Sequence, residues 1–415
     1  MYFVLDQKNK YIMGKYQYLT GQPIFSQLLA LLQPHAVRRL ARRYQTDRYY
    51  KKFKTYDHLV MMLYAILHKC TSLREVTTGM QVCAFRVSHL GLQHCPRRST
   101  ISDANRRRSP KVFEAIYQQL YTRHRQYLPD SQSHPQWHSR LYIVDSTTIS
   151  LFKEILKNVG PPVVNGRRKG GIKVHMLVKA EEDVPCFVRM TAAAAHDAPF
   201  IHRLRLPENA IVVFDRGYYT YRQYDLWTQQ NVSWVTRLRT RARWQTIETY
   251  PIDSSQQHQG VISDQKVLLG NRANPKTQVQ ITARLVQFKD PQSGKTFHFI
   301  TNHFSYSAVT IAEIYRRRWQ IEILFKRLKQ NYPLRYFLGD NENAIRIQIW
   351  CALIADLLLK IIRAALKKQW SFAGLSSMIR IHLMSYVPLF TFLNHPDRML
   401  INLLPVQNKG PSLFD

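Results

Sequence analysis

The segment Tyr315-Arg-Arg-Arg-Trp-Gln-Ile-Glu-Ile-Leu-Phe-Lys-Arg-Leu-Lys329 decides how the rest of the chain is interpreted. It contains no Gly or Pro and repeats its apolar residues at helical spacing, which predicts an amphipathic helix. At about 100° per residue, Tyr315, Arg318, Glu322 and Lys329 fall within a sector of roughly 60°. One face of the helix therefore combines a carboxylate with cations and a phenol. A solvated helix with pairs such as Glu322–Lys326 is the alternative for this segment alone.

The spacing of these four residues resembles a known signature. Tyr, two residues, Arg, three residues, Glu, six residues and Lys is the pattern of bacterial insertion-sequence transposases, and all four positions match. In that family the glutamate is the last acid of a DDE metal site on an RNase H-like fold. The resemblance thus implies that Glu322 is catalytic and that two aspartates elsewhere complete the site.

Two aspartates follow apolar segments that predict strands. Leu141–Val144 precedes Asp145, and Ala210–Phe214 precedes Asp215. An acid after a strand is more often a turn residue than a metal ligand, but together with Glu322 the two predict a metal site at a sheet edge. Carboxylate oxygens suit Mg²⁺, and two such ions about 3.5–4 Å apart serve phosphodiester cleavage. We therefore expect all three acids to be catalytic ligands of two Mg²⁺ ions, for which Mn²⁺ can substitute.

The charge balance indicates a polyanionic partner. The chain has 60 Lys and Arg against 27 Asp and Glu, a net charge of +33, and nucleic acid is the commonest polyanion. A membrane surface is the alternative, but the basic residues are spread along the whole chain. No uncharged apolar stretch reaches the roughly 18 residues of a membrane span. Without a signal-peptide pattern or CxxC spacing, the sequence predicts a cytoplasmic protein, associated with the nucleoid through DNA, with reduced thiols.

The periodicity of the sequence predicts an α/β protein in four parts. Residues 1–139 read as a helical DNA-binding domain. Residues 140–238 give three strands, helix, strand, helix and strand, the order of an RNase H-like catalytic core, with a basic loop at 159–171. Residues 239–302 read as a β-rich insertion, and 303–415 as the second part of the core with C-terminal helices.

Basic residues in the N-terminal part predict contacts to DNA. Residues 1–139 hold 22 Lys and Arg against 7 Asp and Glu. The cluster Arg106, Arg107 and Arg108 follows hydroxyl residues that can cap a helix, and such a helix terminus suits phosphate. A solvated charged surface is the alternative for this cluster.

The resemblance implies further roles near the acids. Tyr315, Arg318 and Lys329 would hold phosphates at the transposon end. Family members flip a base beside the cut and stack it on an aromatic side chain, for which the candidates are Trp234, Trp244 and Phe297, although burial is the ordinary fate of such residues. Three other residues are expected close to the site: Lys173, His175 and Arg216. For His175 the alternative is an ordinary histidine of a strand.

These patterns together predict a cut-and-paste DNA transposase. It would bind the terminal inverted repeats of an insertion sequence, cleave double-stranded DNA at the element ends and join them to target DNA. Because two ends must be joined, a homodimer is expected in the active complex. Two alternatives remain: an RNase H-like nuclease or resolvase without strand transfer, and a transposase-derived DNA-binding regulator, against which the presence of three acids argues.

Overall fold

The computed structural model describes residues 3–4, 12–13, 21–129, 134–150, 171–270 and 279–397. Their contacts divide the chain into two compact units. One unit joins Met1–Tyr127 with Asn331–Asp415, and the other is Leu128–Gln330. The C-terminal helices therefore belong to the same unit as the N-terminal helices. The expected basic loop at 159–171 lies outside the described residues, apart from Gly171.

Helices dominate the first third of the chain, and strands then alternate with helices. The elements up to residue 192 are β1 Phe3–Val4, β2 Ile12–Met13, α1 Ile24–Leu31, α2 Pro34–Arg43, α3 Thr55–His68, α4 Leu73–Val82, α5 Arg98–Arg107, α6 Lys111–His124, β3 Leu141–Ser150, β4 Gly171–Lys179 and β5 Val184–Ala192. There follow α7 Ala198–Ile201, β6 Ile211–Phe214, α8 Tyr221–Gln229, β7 Ser233–Arg237, β8 Trp244–Thr249, α9 Ser254–His258, β9 Val261–Gly270, β10 Gln280–Lys289, β11 Thr296–Thr301, α10 Ala308–Arg317, α11 Trp319–Asn331, α12 Glu342–Ala365, α13 Phe372–Ile381 and α14 Leu389–Asn394.

The helical unit is built around α12. This helix is apolar on nearly all sides and packs against α3, α5, α6 and α13, which explains why the C-terminal helices join the N-terminal ones. Its buried Gln348 donates to the carbonyls of Pro333 and Tyr336 and accepts from the Leu338 amide, so its polar groups are satisfied. No helix within the described ranges is long and apolar enough to cross a membrane.

The second unit contains a nine-stranded sheet in the order β5-β4-β3-β6-β7-β11-β10-β9-β8. β3, β4 and β5 form an antiparallel meander, and β6 and β7 run parallel to β3. This order and these directions confirm the predicted RNase H-like α/β core. The predicted β-rich insertion continues the same sheet, because β11 pairs with β7 and β10, β9 and β8 follow it.

Helices cover both faces of the core strands. Val144 and Phe214 point to the face where Phe200 of α7 and Trp227 of α8 complete a buried cluster. α10 contacts β6, β7 and β11, and its Tyr315 ring lies 4.8 Å from that of Phe299. Because side chains alternate along a strand, Asp145 and Asp215 belong to the opposite face from Val144 and Phe214, which is the face of α10.

Two predictions about local structure were wrong. Asp145 does not end its strand, because β4 continues to pair with β3 as far as Ser150; what ends at Val144 is the parallel pairing with β6. The segment from Tyr315 to Lys329 is not one helix. It is interrupted at Arg318, where the backbone bonds Arg318 to Tyr315 and Ile321 to Arg318 close tighter turns of three residues.

Candidate active site

Two acids meet at the junction of β3 and β6. Val144 and Phe214 are the last partners in this parallel ladder, and Asp145 and Asp215 are the next residue on each chain segment. Residues at the same level of neighbouring parallel strands point to the same face. The strand pairing therefore sets the two aspartates side by side on the face covered by α10.

Arg318 connects the acid of β3 with the acid of α11. Its Nη1 atom donates to Asp145 Oδ2 at 2.8 Å, and its Nη2 atom donates to Glu322 Oε1 at 2.6 Å. The side chain of Arg318 is largely buried, at 12% exposed. Charge-assisted bonds to two carboxylates from one planar guanidinium fix both acids relative to each other.

Asp215 has a different pair of partners. Its Oδ1 atom accepts a hydrogen bond from Arg237 Nη2 at 2.7 Å and one from the Tyr315 hydroxyl at 3.3 Å. The Arg237 guanidinium also lies 5.7 Å from the centre of the Tyr315 ring. The sequence interpretation did not find Arg237. The available signal was its place at the end of β7, which runs parallel to β6 and so ends near Asp215.

The pKa values of the two aspartates are shifted in opposite directions. Burial raises the pKa of Asp145 to about 6, and the Ser146 amide and Arg318 only partly offset it. Burial also acts to raise the pKa of Asp215, but the bond and charge of Arg237 outweigh it and lower this pKa below its usual value. Burial raises the pKa of Tyr315 to about 12, so its phenol stays a neutral donor.

The donor set fits a divalent cation in its chemistry. Three carboxylates from Asp145, Asp215 and Glu322 share two guanidinium groups, and hard oxygen ligands of this kind suit Mg²⁺ or Mn²⁺. In the part of the chain that is described, no three His, Cys, Asp or Glu side chains are close enough together to hold a metal as they stand. The guanidinium of Arg318 is bonded to two of the acids, so a metal would have to displace it.

Two of the expected near-site residues lie on the other face of β3. His175 pairs with Ser146 rather than Asp145 in the β3–β4 register, and its ring stacks on Phe200. Lys173 Nζ lies 3.2 Å from Asp197 Oδ1, which also accepts from the Ser146 hydroxyl at 2.9 Å. These groups thus lie behind the strand that carries Asp145 and do not share the face of the acids.

The tryptophan candidates do not lie at the acids. Trp234 is completely buried, stacked on Tyr224, with its indole N–H donated to Thr228. Trp244 is exposed, but it belongs to β8 at the far edge of the sheet. The structure therefore corrects both predictions: one side chain is used in the core, and the insertion strands carry the other away. Arg216 follows Asp215 and is exposed, with its Nη1 atom 3.5 Å from the Thr240 hydroxyl.

An aromatic cavity of about 580 Å³ adjoins Tyr315 and Arg318. Phe297, the third aromatic candidate, lies in its wall and is partly exposed. Its lining also contains arginines and Asp290, whose Oδ1 atom lies 3.6 Å from Arg316 Nη2. The aromatic and basic residues that line it are Phe288, Phe297, Phe299, Tyr315, Trp319, Arg237, Arg316 and Arg318.

The remaining predicted DNA contacts differ in their exposure. Lys329 is exposed on α11, two turns or roughly 10 Å beyond Glu322. Arg106 and Arg107 are exposed on α5, with Arg106 paired to Asp103 at 2.9 Å. Arg108 corrects the prediction made for it: it is 2% exposed and donates to the Phe53 carbonyl at 2.8 Å, so it stabilises the interior and does not present its charge to DNA.

Comparison with protein families gives two matches. The model of the transposase DDE domain matches residues 136–358, more than half of the chain. This segment contains all three acids. The model described as a domain of unknown function (DUF4372) matches residues 20–93, within the helical unit.

Three relatives carry names that describe a transposase. The protein y4zB of Sinorhizobium fredii is 31% identical over 64% of this chain and 71% of its own length. A Geobacillus stearothermophilus protein named for insertion sequence element IS5377 is 30% identical over 55% of this chain and 58% of its own, and a Synechocystis protein named for element IS4SA is 26% identical over 64% and 71%. The cryo-EM structure of a piggyBac transposase synaptic complex with hairpin DNA aligns at 11% identity over 93% of this chain and 86% of that chain, with a TM-score of 0.45.

The extent of the transposase DDE domain match and of the y4zB match identifies the family. A transposase DDE domain acts on DNA and depends on divalent metal ions, in agreement with the carboxylate cluster and the basic charge of the chain. The y4zB relative supports the same conclusion over most of its own length. The chain belongs to the DDE transposases of bacterial insertion sequences, enzymes that cleave DNA to move a transposable element.

Proposed function

We propose that the chain cuts and pastes its insertion sequence by binding the terminal inverted repeats, cleaving at them and joining the released ends to target DNA. Asp145, Asp215 and Glu322 would hold two Mg²⁺ ions, with Mn²⁺ as a substitute. The observation that carries this proposal is the position of Arg318, whose guanidinium links Asp145 to Glu322. Asp145 itself lies beside Asp215, because each aspartate directly follows the last pair of the β3–β6 ladder.

Three elements of the fold position the acids. Two strands fix the aspartates and a packed helix brings Glu322. Metal ions held by these three acids would supply activation of an attacking oxygen and stabilisation of the leaving oxyanion. The burial that raises the pKa of Asp145 also makes a nearby cation favourable, because the charged carboxylate is otherwise poorly solvated there.

The cations beside the acids would serve the DNA. Arg318 and Arg237 each contact a carboxylate that a metal ion would also contact, so both guanidinium groups become free to bind phosphate when the metal binds. We propose that Tyr315, Arg318 and Lys329 hold the phosphates of the element end. Arg237 is added to this set because it shares Asp215 with Tyr315.

Contacts outside the acid cluster would supply affinity and pairing of ends. Arg106 and Arg107 on the helical unit are exposed and suit the phosphate backbone. Two element ends must be brought together before they are joined, so we propose a homodimer in the active complex.

The aromatic cavity supports a place for a base displaced beside the cut. Its volume of about 580 Å³ is in the range of small-molecule sites, and its walls combine aromatic faces with arginines. Aromatic side chains stack on bases, and the arginines of the lining suit the attached phosphate. Phe297 is the partly exposed ring that we propose for stacking.

Phe297→Ala is expected to slow the steps that follow first-strand nicking roughly ten- to hundredfold. The reason is the loss of base–aromatic stacking, which contributes about 1–3 kcal/mol per base. The measurement is a gel time course of nick, double-strand break and joined product. Trp244→Ala removes an exposed aromatic ring from the far edge of the same sheet and serves as the control. If the two variants behave alike, Phe297 has no such role.

The experiment that tests the proposed function uses a labelled DNA duplex carrying the element end, the full chain and Mg²⁺ or Mn²⁺. We expect nicks, double-strand breaks and joined products, all lost when the metal is chelated. Breaks without any joined product, with paired ends and target DNA supplied, would instead indicate a nuclease or resolvase. Specific binding of the end without cleavage under any metal would indicate a DNA-binding regulator.

A further inference from the structure

The helical unit has a basic surface on α2 and the segment that follows it. Pro34 occupies the first turn of α2, and the buried residues Ala36, Val37 and Ala41 attach one side of the helix to the interior. The opposite side and the next residues are exposed and basic. We define the α2 surface by its exposed residues Arg38, Arg39, Arg42, Arg43, Tyr44, Arg48, Tyr49, Lys51 and Lys52.

The α2 surface brings like charges close together. Arg38 and Arg42, and likewise Arg39 and Arg43, are four residues apart on one helix, where like charges destabilise it. Across the residues that the structure describes, none of these four arginines forms an ion pair with a carboxylate. Burial, and then the charge of Arg39, lower the pKa of Arg123 on α6, so the positive field extends to a neighbouring helix.

The acids of this segment are used elsewhere. Asp47 accepts hydrogen bonds from the amide and hydroxyl of Thr55, and Arg108 lies 3.9 Å from it. Asp57 accepts from the Lys54 amide at the start of α3. Both carboxylates therefore bond within the fold. Burial raises the pKa of Asp57 and the charge of Arg38 only partly offsets this effect, so Asp57 is a partial counter-charge for Arg38 but is not paired with it.

Exposed tyrosines accompany the cations. Tyr49 is 88% exposed and Tyr44 40%, and the Arg48 guanidinium lies 5.0 Å from the centre of the Tyr49 ring. Tyrosine hydroxyls and arginine guanidiniums are both donors that contact phosphate and sugar in DNA complexes. A surface that keeps repelling charges together with exposed rings is suited to a polyanion with a sugar backbone.

We propose that the α2 surface binds the sugar–phosphate backbone of duplex DNA and supplies affinity that does not depend on base sequence. This inference rests on the proposed function only in taking DNA as the partner. It differs from the α5 cluster, where Arg106 is paired with Asp103 and Arg108 is buried.

The test is the salt dependence of DNA binding by the full chain. The variant Arg38→Gln/Arg39→Gln/Arg42→Gln/Arg43→Gln is compared with wild type on a labelled duplex of arbitrary sequence and on one carrying the element end. The slope of log affinity against log salt is negative, and each lost phosphate contact reduces its magnitude by about 0.9. For four contacts the expected reduction is up to about 3.6 on both duplexes. A slope equal to that of wild type overturns the proposal.

The matched control removes the same charge elsewhere on the helical unit. Arg74→Gln/Lys111→Gln/Lys367→Gln/Lys368→Gln changes four exposed cations and is expected to keep the wild-type slope. An equal reduction of the salt slope in both variants would mean a net-charge effect and would overturn the proposal. A reduction measured with an RNA duplex but not with a DNA duplex would also overturn it.

Folding and function are separated by two further readouts. The α2 variant relieves repulsion, so its melting temperature should be no lower than that of wild type. If it does not fold, Lys51→Gln/Lys52→Gln replaces it, and the magnitude of the salt slope should then decrease by about 1.8. An unchanged slope in that folded variant also overturns the proposal. Failure of wild type to cleave would count against the proposed function alone, because the slope is measured without metal.

Discussion

Asp215→Asn is expected to abolish metal-dependent cleavage of the element end while leaving DNA binding within a few-fold of wild type. A carboxamide is neutral and a poor ligand for a hard cation. Metal ions contribute several kcal/mol to stabilising the charge of the transition state, and a loss of about 4 kcal/mol corresponds to roughly a thousandfold in rate. The measurement is the initial rate of nicking under Mg²⁺ and under Mn²⁺.

The control for this variant is Asp225→Asn on α8. It removes the same charge from the same unit by the same substitution, and Asp225 bonds only to Gln229 of its own helix among the hydrogen bonds of the described chain. We expect it to cleave at the wild-type rate. Thermal melting of both proteins checks the fold, since Asp215→Asn also removes the partner of Arg237. Nicking by Asp215→Asn at the wild-type rate would remove Asp215 from the metal site.

The elements that carry the acids could be predicted because their patterns are local. The β-branched and apolar residues of Leu141–Val144 and Ala210–Phe214 favour strands. The spacing from Tyr315 to Lys329 favours helical structure, but it does not contain the break at Arg318. Secondary structure of this kind depends on neighbours in the sequence. It was therefore accessible without knowledge of the tertiary structure.

The partners of the acids depend on strand register and could not be predicted in this way. That Arg318 bonds Asp145 across 173 positions, or that Arg237 meets Asp215, follows only once β6 lies between β3 and β7. The same limit applies to His175. This residue was expected close to the acids, but the β3–β4 register assigns it to the face of Ser146.

Burial of single residues was the other source of error. A run of three arginines at 106–108 looks uniformly solvated, yet the helix ends at Arg107 and Arg108 turns inward beneath Tyr50. Trp234 and Trp244 both lie in segments that form strands, but Trp234 belongs to a central strand and Trp244 to an edge strand. Position within a sheet is a property of long-range pairing, which no local pattern contains.

Arg318→Ala is expected to leave first-strand nicking largely intact while slowing second-strand cleavage and joining. Two reasons separate these steps. The guanidinium occupies two carboxylates in the absence of metal, so its removal should not weaken metal binding and the concentration of Mg²⁺ for half-maximal nicking should not rise. The later steps require the cut end to stay in place, and loss of a charge-assisted contact to phosphate costs about 1.5–3 kcal/mol, roughly ten- to hundredfold in rate.

The assay resolves nick, double-strand break and joined product over time on a labelled end, across a Mg²⁺ titration. Arg317→Ala is the control, because Arg317 is the exposed neighbour of Arg318 and the last residue of α10. Arg318→Lys keeps the charge but loses the planar fork that reaches two carboxylates, so it should recover only part of the joining rate. Equal slowing of all three products in Arg318→Ala would assign the residue to general DNA binding. A large rise in the Mg²⁺ requirement would mean that its role is to assemble Asp145 and Glu322 for the metal.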